Sequence, residues 1–123
     1  MKLNQVTLPA KDLVRSIDFY EALDFVLIVR NDHYARFENL SDHSTLSLEL
    51  RDDGGDGAHV YFECEDLDAR VAALKAKGIA FDSGPADKSW QWREAWLRDP
   101  AGNRLCLYWA GEIRRFPPWR IGK

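Results

Sequence analysis

The sequence predicts an α+β fold in which two tandem βαβββ modules form curved mixed sheets around a concave pocket, with the helices outside. The order of one strand, one helix and three further strands occurs twice along 123 residues. The two copies align, so that Gln5 corresponds to His59 and Asp12 to Asp66. One face of each strand is apolar, as expected of sheets that helices cover on one side. Internal duplication is the simplest explanation of this pattern.

Composition indicates an ordinary globular chain, with 46% hydrophobic and 30% charged residues. The net charge of −3 and the scattered basic residues argue against nucleic acid as a partner. No apolar run approaches the ~20 residues that span a bilayer, and the start of the chain lacks the apolar core of a secretory signal. Cys64 and Cys106 form no CxxC pair. We therefore expect free thiols, a cytoplasmic location and no membrane partner.

The first module covers residues 1–51. Alternation over residues 2–9 predicts a strand with Val6 and Leu8 on the helix side, and Pro9 is expected to end it. Asp12 is the predicted N-cap of a helix that runs to about Ala22. Three further strands are predicted at residues 25–30, 34–39 and 44–51, joined by polar turns as a meander.

The second module covers residues 58–111 and follows an acidic, glycine-rich stretch at 52–57, which we interpret as a flexible connector. The predicted order is a strand at 58–64, a helix from the Asp66 cap to Lys77 with Gly78 as terminator, and a short strand at 79–81. A polar Pro/Gly segment and strands at 92–98 and 104–109 complete the module. Residues 1–111 are expected to form a single domain. Residues 112–123 form a tail, whose segment Phe116–Ile121 is too rich in proline for a helix. The tail either packs on the body or a partner subunit or is loose.

Strand alternation also predicts which side chains face away from the helices. On the last strand Leu105, Leu107 and Trp109 are expected under the helix. The opposite face is expected to be polar and aromatic rather than a second hydrophobic core. Such a face suits a small-molecule site. That face is predicted to carry Leu3, Gln5, Thr7, Thr45, Ser47, Glu49, His59, Tyr61, Glu63, Arg104, Cys106 and Tyr108.

Four side chains on that face are candidate ligands of a divalent cation. Gln5, Glu49, His59 and Cys106 offer an amide oxygen, a carboxylate, an imidazole and a thiol. Their long spacing is not diagnostic, and inward-facing His and Glu side chains are often simply hydrogen-bonded. Both interpretations stay open at this point.

Over residues 2–111 the chain resembles the vicinal oxygen chelate superfamily, which includes glyoxalase I, extradiol dioxygenases and bleomycin-resistance proteins. The resemblance rests on the segments NQVTLPAKDLVRSIDFYEALDF, HVYFECEDLDARVAALKAKGIAF and LRDPAGNRLCLYW. It implies that a metal would be held by one residue from the first and one from the last strand of each module, here Gln5, Glu49, His59 and Cys106. Glyoxalase I has a catalytic Glu where this chain has Cys106, which departs from that pattern.

The segment SWQWREAWLRDPAGN looks more like bleomycin-resistance proteins, which sequester their drug without a metal. This resemblance implies a binder of a small aromatic or cationic molecule, without a firmly required cofactor. The stacking surfaces would be Tyr61, Trp90, Trp92 and Tyr108. Glu49 and Glu63 would attract a cation. Arg104 is a further candidate ligand contact, for an anionic group.

The alternative is a lyase or isomerase of glyoxalase type, in which zinc, nickel, manganese or iron stabilises an enediolate. Glu63 or the Cys106 thiolate would then be the candidate catalytic base. An extradiol dioxygenase is a distant third, because Gln5 replaces one of the histidines that ferrous iron would need. The sequence leaves open whether the protein is an enzyme. The resemblance also implies a homodimer.

Overall fold

The structure is a computed structural model that describes residues 3–52 and 58–121. Its α-helices and strands follow one another in the predicted order. A short 3-10 helix, Gly111–Arg114, follows the last strand. The elements are β1 (Gln5–Ala10), α1 (Leu13–Ala22), β2 (Val26–Arg30), β3 (Tyr34–Glu38), β4 (Thr45–Leu50), β5 (His59–Glu63), α2 (Leu67–Ala76), β6 (Phe81–Asp87), β7 (Arg93–Arg98) and β8 (Arg104–Trp109). None of the described helices is long and apolar enough to cross a membrane.

The strands form two four-stranded sheets, with the orders β1-β4-β3-β2 and β5-β8-β7-β6. In the first sheet β1 pairs with β4 in parallel, whereas β2, β3 and β4 form an antiparallel meander. Each sheet therefore comes from one module, and the same strand order occurs in both. The predicted α+β fold of two βαβββ modules is confirmed.

Both helices begin where a side chain caps them. The Asp12 carboxylate accepts the backbone N–H of Arg15 at 3.1 Å, and Asp66 accepts that of Ala69 at 3.4 Å. These bonds satisfy N–H groups that have no partner within the first helical turn. Gly78 has φ +92, the left-handed conformation that a glycine adopts readily after a helix. The predicted caps and helix terminator are confirmed.

Two proline positions differ from the prediction. Pro9 does not end β1, which continues to Ala10, and Pro9 pairs with Glu49 of β4. In the same way β6 runs through Pro85, in the segment predicted to be irregular, with register shifts between Phe81 and Ala86. Both strands lie at the edge of their sheet. An edge strand has a neighbour on one side only, so a proline can be placed where its missing N–H group would have faced away from that neighbour.

The described residues divide into two compact units. The first contains the residues up to Ala58 together with Arg98–Arg104, and the second contains His59–Leu97 and the chain from Leu105 onward. The first unit has an aromatic core in which Tyr20 lies 5.8 Å from Phe37 and 6.0 Å from Phe25, between ring centroids. Most of the predicted flexible connector, residues 53–57, lies outside the described residues.

The turn between β7 and β8 belongs to the first unit. Asp99 accepts the backbone N–H groups of Ala101 and Asn103 on one carboxylate oxygen. Asn103 in turn donates to the backbone oxygen of Pro9 at 2.8 Å. This turn is structural, as its residue types suggest, because its polar side chains bond their own backbone and β1.

Trp109 is more exposed than predicted. It was expected under the helix with Leu105 and Leu107, which are buried, but it is 40% exposed. A Cβ placed on Gly111 would lie 3.3 Å from the Trp109 ring, so the chain beyond β8 passes close to this side chain. Burial therefore does not alternate along β8, where both faces are buried from Leu105 to Tyr108 and the last residue is exposed.

Candidate functional site

The second unit contains a cluster of aromatic rings on β5, β7, β8 and the residue just before β7. Trp92 and Tyr108 are stacked, with centroids 4.5 Å apart and planes at 16°. Tyr61 meets both edge-on, at 6.1 Å and 5.8 Å, and meets Trp96 at 5.6 Å. His59 packs edge-on against Trp96 at 5.3 Å. We refer to Tyr61, Trp92, Trp96 and Tyr108 as the aromatic cluster.

Strand alternation brings these rings together. On β5, His59 and Tyr61 are exposed, whereas Val60 and Phe62, which alternate with them, are more buried. Trp92 immediately precedes β7, and Trp96 follows it by four residues, so that extended backbone places both on the same face. The sequence thus predicted the shared face of Tyr61 and Tyr108 correctly, and the structure brings Tyr61, Trp92 and Tyr108 into contact.

The cluster is less polar than the sequence suggested. Cys106 is fully buried and Tyr108 is 6% exposed, and both belong to a small hydrophobic core with Ala110 against which Trp92 and Trp96 pack. Burial, together with the negative charge of Glu63, raises the pKa of Tyr108. The expectation that this face is not a second core is therefore wrong for the second unit, where its inner part is a packed core.

Glu94 is a candidate site residue that the sequence interpretation missed. It lies between Trp92 and Trp96 on β7 and is only 3% exposed. One carboxylate oxygen accepts the indole N–H of Trp90 at 2.6 Å, and the other accepts that of Trp96 at 3.0 Å. The alternation of β7 places Glu94 on the face of the tryptophans, and this pattern was the available signal.

Glu63, the predicted ligand contact and candidate base, has a structural partner. Its carboxylate accepts the backbone N–H of Ala110 at 3.1 Å and that of Gly111 at 2.9 Å. These two bonds fix the chain where it leaves β8 and enters the 3-10 helix. Trp90, another predicted contact, is 44% exposed and bonds to Glu94.

The other predicted site residues lie in the first unit, Gln5 and Glu49 from the first module and Arg104 from the second. The Gln5 amide donates to the Ser47 hydroxyl at 2.7 Å, and its oxygen accepts from the hydroxyl of Thr45. Glu49 is exposed at the end of β4. Arg104 is exposed at the start of β8. Gln5 is thus held by its neighbours on β4, which pairs with β1.

The four predicted metal ligands are Gln5 and Glu49 in the first unit and His59 and Cys106 in the second. Across residues 3–52 and 58–121, no three His, Cys, Asp or Glu side chains come together as a metal ion would require. Cys106 is fully buried. The amide oxygen of Gln5 accepts a hydrogen bond from the hydroxyl of Thr45. Metal binding by these four donors stays a prediction.

Comparisons with known proteins point to one family. The model of the Glyoxalase/Bleomycin resistance protein/Dioxygenase superfamily matches residues 2–107. An uncharacterized protein of Mycolicibacterium smegmatis is 30% identical over 108 residues, which are 87% of this chain and 92% of the relative.

Solved structures give the same result for the fold. A glyoxalase/bleomycin resistance protein/dioxygenase from Nocardioides superposes with a TM-score of 0.76 at 25% identity, over 90% of this chain and 85% of its own. A bleomycin-binding protein in complex with bleomycin superposes with a TM-score of 0.73 at 22% identity, over 89% of this chain and 98% of its own.

Proposed function

The chain belongs to the glyoxalase/bleomycin resistance protein/dioxygenase superfamily, and on that premise we propose that it binds and sequesters a small aromatic or cationic molecule without a metal. The observation that carries the proposal is the aromatic cluster, in which Tyr61 remains 45% exposed above the stacked pair of Trp92 and Tyr108. Rigid rings fixed in a packed cluster offer a planar ligand stacking partners at little cost in side-chain entropy.

The fold is compatible with this function. A bleomycin-binding protein of the same fold holds a small molecule, which supports sequestration as the activity to test first. In this chain the ligand would contact Tyr61, the exposed member of the cluster, and Trp90, an exposed aromatic residue that bonds to Glu94. Trp92 and Tyr108 would act mainly by holding Tyr61 in place. We further propose a homodimer, as the family resemblance implies, and a cytoplasmic location, as expected from the sequence.

Calorimetric titration tests the proposal with naphthylmethylammonium and naphthylmethanol as planar probes. We expect at least one probe to bind, and Tyr61→Ala to weaken its affinity about fivefold through loss of edge-on and stacking contacts. Trp119→Ala is the matched control, because Trp119 is also an exposed aromatic residue, at 56%, but lies in the tail. If neither probe binds, or if both variants behave alike, the aromatic cluster is not the binding surface.

A metal-dependent lyase or isomerase is the competing function, and metal analysis separates the two. Protein purified without chelators is assayed for bound metal and then titrated with zinc, nickel, manganese and ferrous iron in thermal-shift measurements. Sequestration without metal predicts substoichiometric metal and no shift. One tightly bound ion per chain that disappears in His59→Ala would instead support the lyase or isomerase, with Glu63 or Cys106 as candidate base.

A further inference from the structure

Glu94 combines burial with a negative charge in the middle of the aromatic residues of the second unit. Its two oxygens are bonded to the indole N–H groups of Trp90 and Trp96, at 2.6 Å and 3.0 Å. Both donors are neutral, so these bonds satisfy the oxygens without supplying a positive charge. A carboxylate removed from water gains most from a cationic hydrogen-bond donor, because charged partners interact more strongly when desolvated.

The two partners of Glu94 differ in how easily they are displaced. Trp96 is partly buried against the core formed by Cys106 and Tyr108. Trp90, by contrast, is 44% exposed. Trp90 also lies on a turn rather than on a strand. The oxygen that faces Trp90 is therefore the one that an incoming ligand can reach, by displacing a single indole.

The turn that carries Trp90 connects β6 to β7. It is closed by a hydrogen bond from the backbone N–H of Lys88 to the oxygen of Trp92, at 2.8 Å. Gln91 has φ +70, in the left-handed region that residues other than glycine seldom adopt. The backbone thus turns sharply just after Trp90, whose indole N–H donates to Glu94. This arrangement holds the indole against Glu94 by one hydrogen bond at the tip of a turn.

We propose that Glu94 is the residue that selects cationic ligands, and that the Trp90 indole N–H occupies the position that the ammonium group of the ligand takes when bound. The inference rests on the proposed function and narrows its ligand to an aromatic ammonium compound. The ammonium group donates to the Glu94 oxygen that otherwise accepts from Trp90. The ring of the ligand packs against the aromatic cluster. Glu63 is less suited to this role, because it is exposed and water screens its charge.

Matched probes test the selectivity. Naphthylmethylammonium and naphthylmethanol share one ring system and differ in charge, so calorimetric titration of both isolates the contribution of Glu94. We expect the ammonium probe to bind the wild-type protein at least about tenfold more tightly. Glu94→Gln keeps the size and one acceptor, and should remove this preference while changing the affinity for the alcohol less than about twofold.

The outcomes separate the two proposals. Absence of binding by either probe overturns the proposed function, and this inference with it. Binding of both probes with equal affinity, or an undiminished preference for the ammonium probe in Glu94→Gln, overturns only the role of Glu94.

Trp90→Phe tests the displacement independently and keeps a ring on the turn. Removing the competing N–H donor should tighten binding of the ammonium probe about three- to tenfold, because no indole bond must break. Trp119→Phe is the control and should leave the affinity unchanged. In the wild-type protein, the indole N–H resonance of Trp90 should shift with the ammonium probe and not with the alcohol. Unchanged or weaker binding by Trp90→Phe, or an unmoved resonance, contradicts the displacement.

Discussion

The hydroxyl of Tyr20 on α1 donates a buried hydrogen bond of 2.7 Å to the carboxylate of Asp99 in the turn between β7 and β8. The two residues are 79 positions apart in the chain and both lie in the first unit. The same Asp99 oxygen accepts from the Asn103 amide at 2.6 Å. The turn between the last two strands is thus tied to the helix of the first module.

Tyr20→Phe should lower the free energy of unfolding by about 1–3 kcal/mol, because it leaves a buried carboxylate with one donor fewer. Urea denaturation followed by circular dichroism measures the loss. The double variant with Asp99→Asn provides the control, since the two losses should not add if the pair interacts directly. Additive losses would contradict a direct hydrogen bond between these side chains.

The same pair predicts a loss of stability in alkali. Burial, repulsion by Asp99 and the hydrogen bond to it raise the pKa of Tyr20 well above its usual value of 10.0. The folded protein therefore keeps this proton at a pH where the unfolded chain has lost it, and the free energy of unfolding falls as pH rises above about 10. Denaturation of the wild type and Tyr20→Phe across this range should show a steeper decline for the wild type. Parallel declines would mean that Tyr20 does not contribute.

We expect Glu63 to stabilise the segment that follows β8 rather than to take part in catalysis. Glu63→Ala removes the acceptor of two backbone N–H groups and should destabilise the protein by about 1 kcal/mol, a value reduced because Glu63 is exposed. Limited proteolysis should cut the segment after Ala110 faster in this variant. Glu63→Gln keeps an acceptor and is the control. Equal proteolysis of all three proteins would contradict this role.

The two thiols should differ in reactivity. Cys106 is fully buried, whereas Cys64 is of intermediate exposure and burial raises the pKa of its thiol. Because the thiolate is the reactive form, we expect slow alkylation of Cys64 at neutral pH, faster alkylation at higher pH, and protection of Cys106 until the protein unfolds. Mass spectrometry of iodoacetamide-treated native protein distinguishes the two sites. Alkylation of Cys106 at the rate of Cys64 would show that the residues packed over Cys106 move aside readily in the folded protein.

Local patterns were sufficient to predict most of the fold. Period-2 alternation separated the exposed His59 and Tyr61 from Val60 and Phe62, and the caps at Asp12 and Asp66 were correct. Such predictions succeed because strand alternation and helix capping depend on residues only a few positions apart. The strands through Pro9 and Pro85 were harder to predict, because whether a proline is tolerated depends on which strand lies at the edge of the sheet.

The sequence by itself determined the duplicated βαβββ order and which strand faces carry the candidate site residues. Only the tertiary structure decided which of those residues have partners. It placed Glu94 between two indoles, engaged Glu63 with the backbone at Ala110 and buried Cys106. These outcomes depend on how strands and turns that are distant in sequence are brought side by side, and alternation along one strand carries no information about what covers its face.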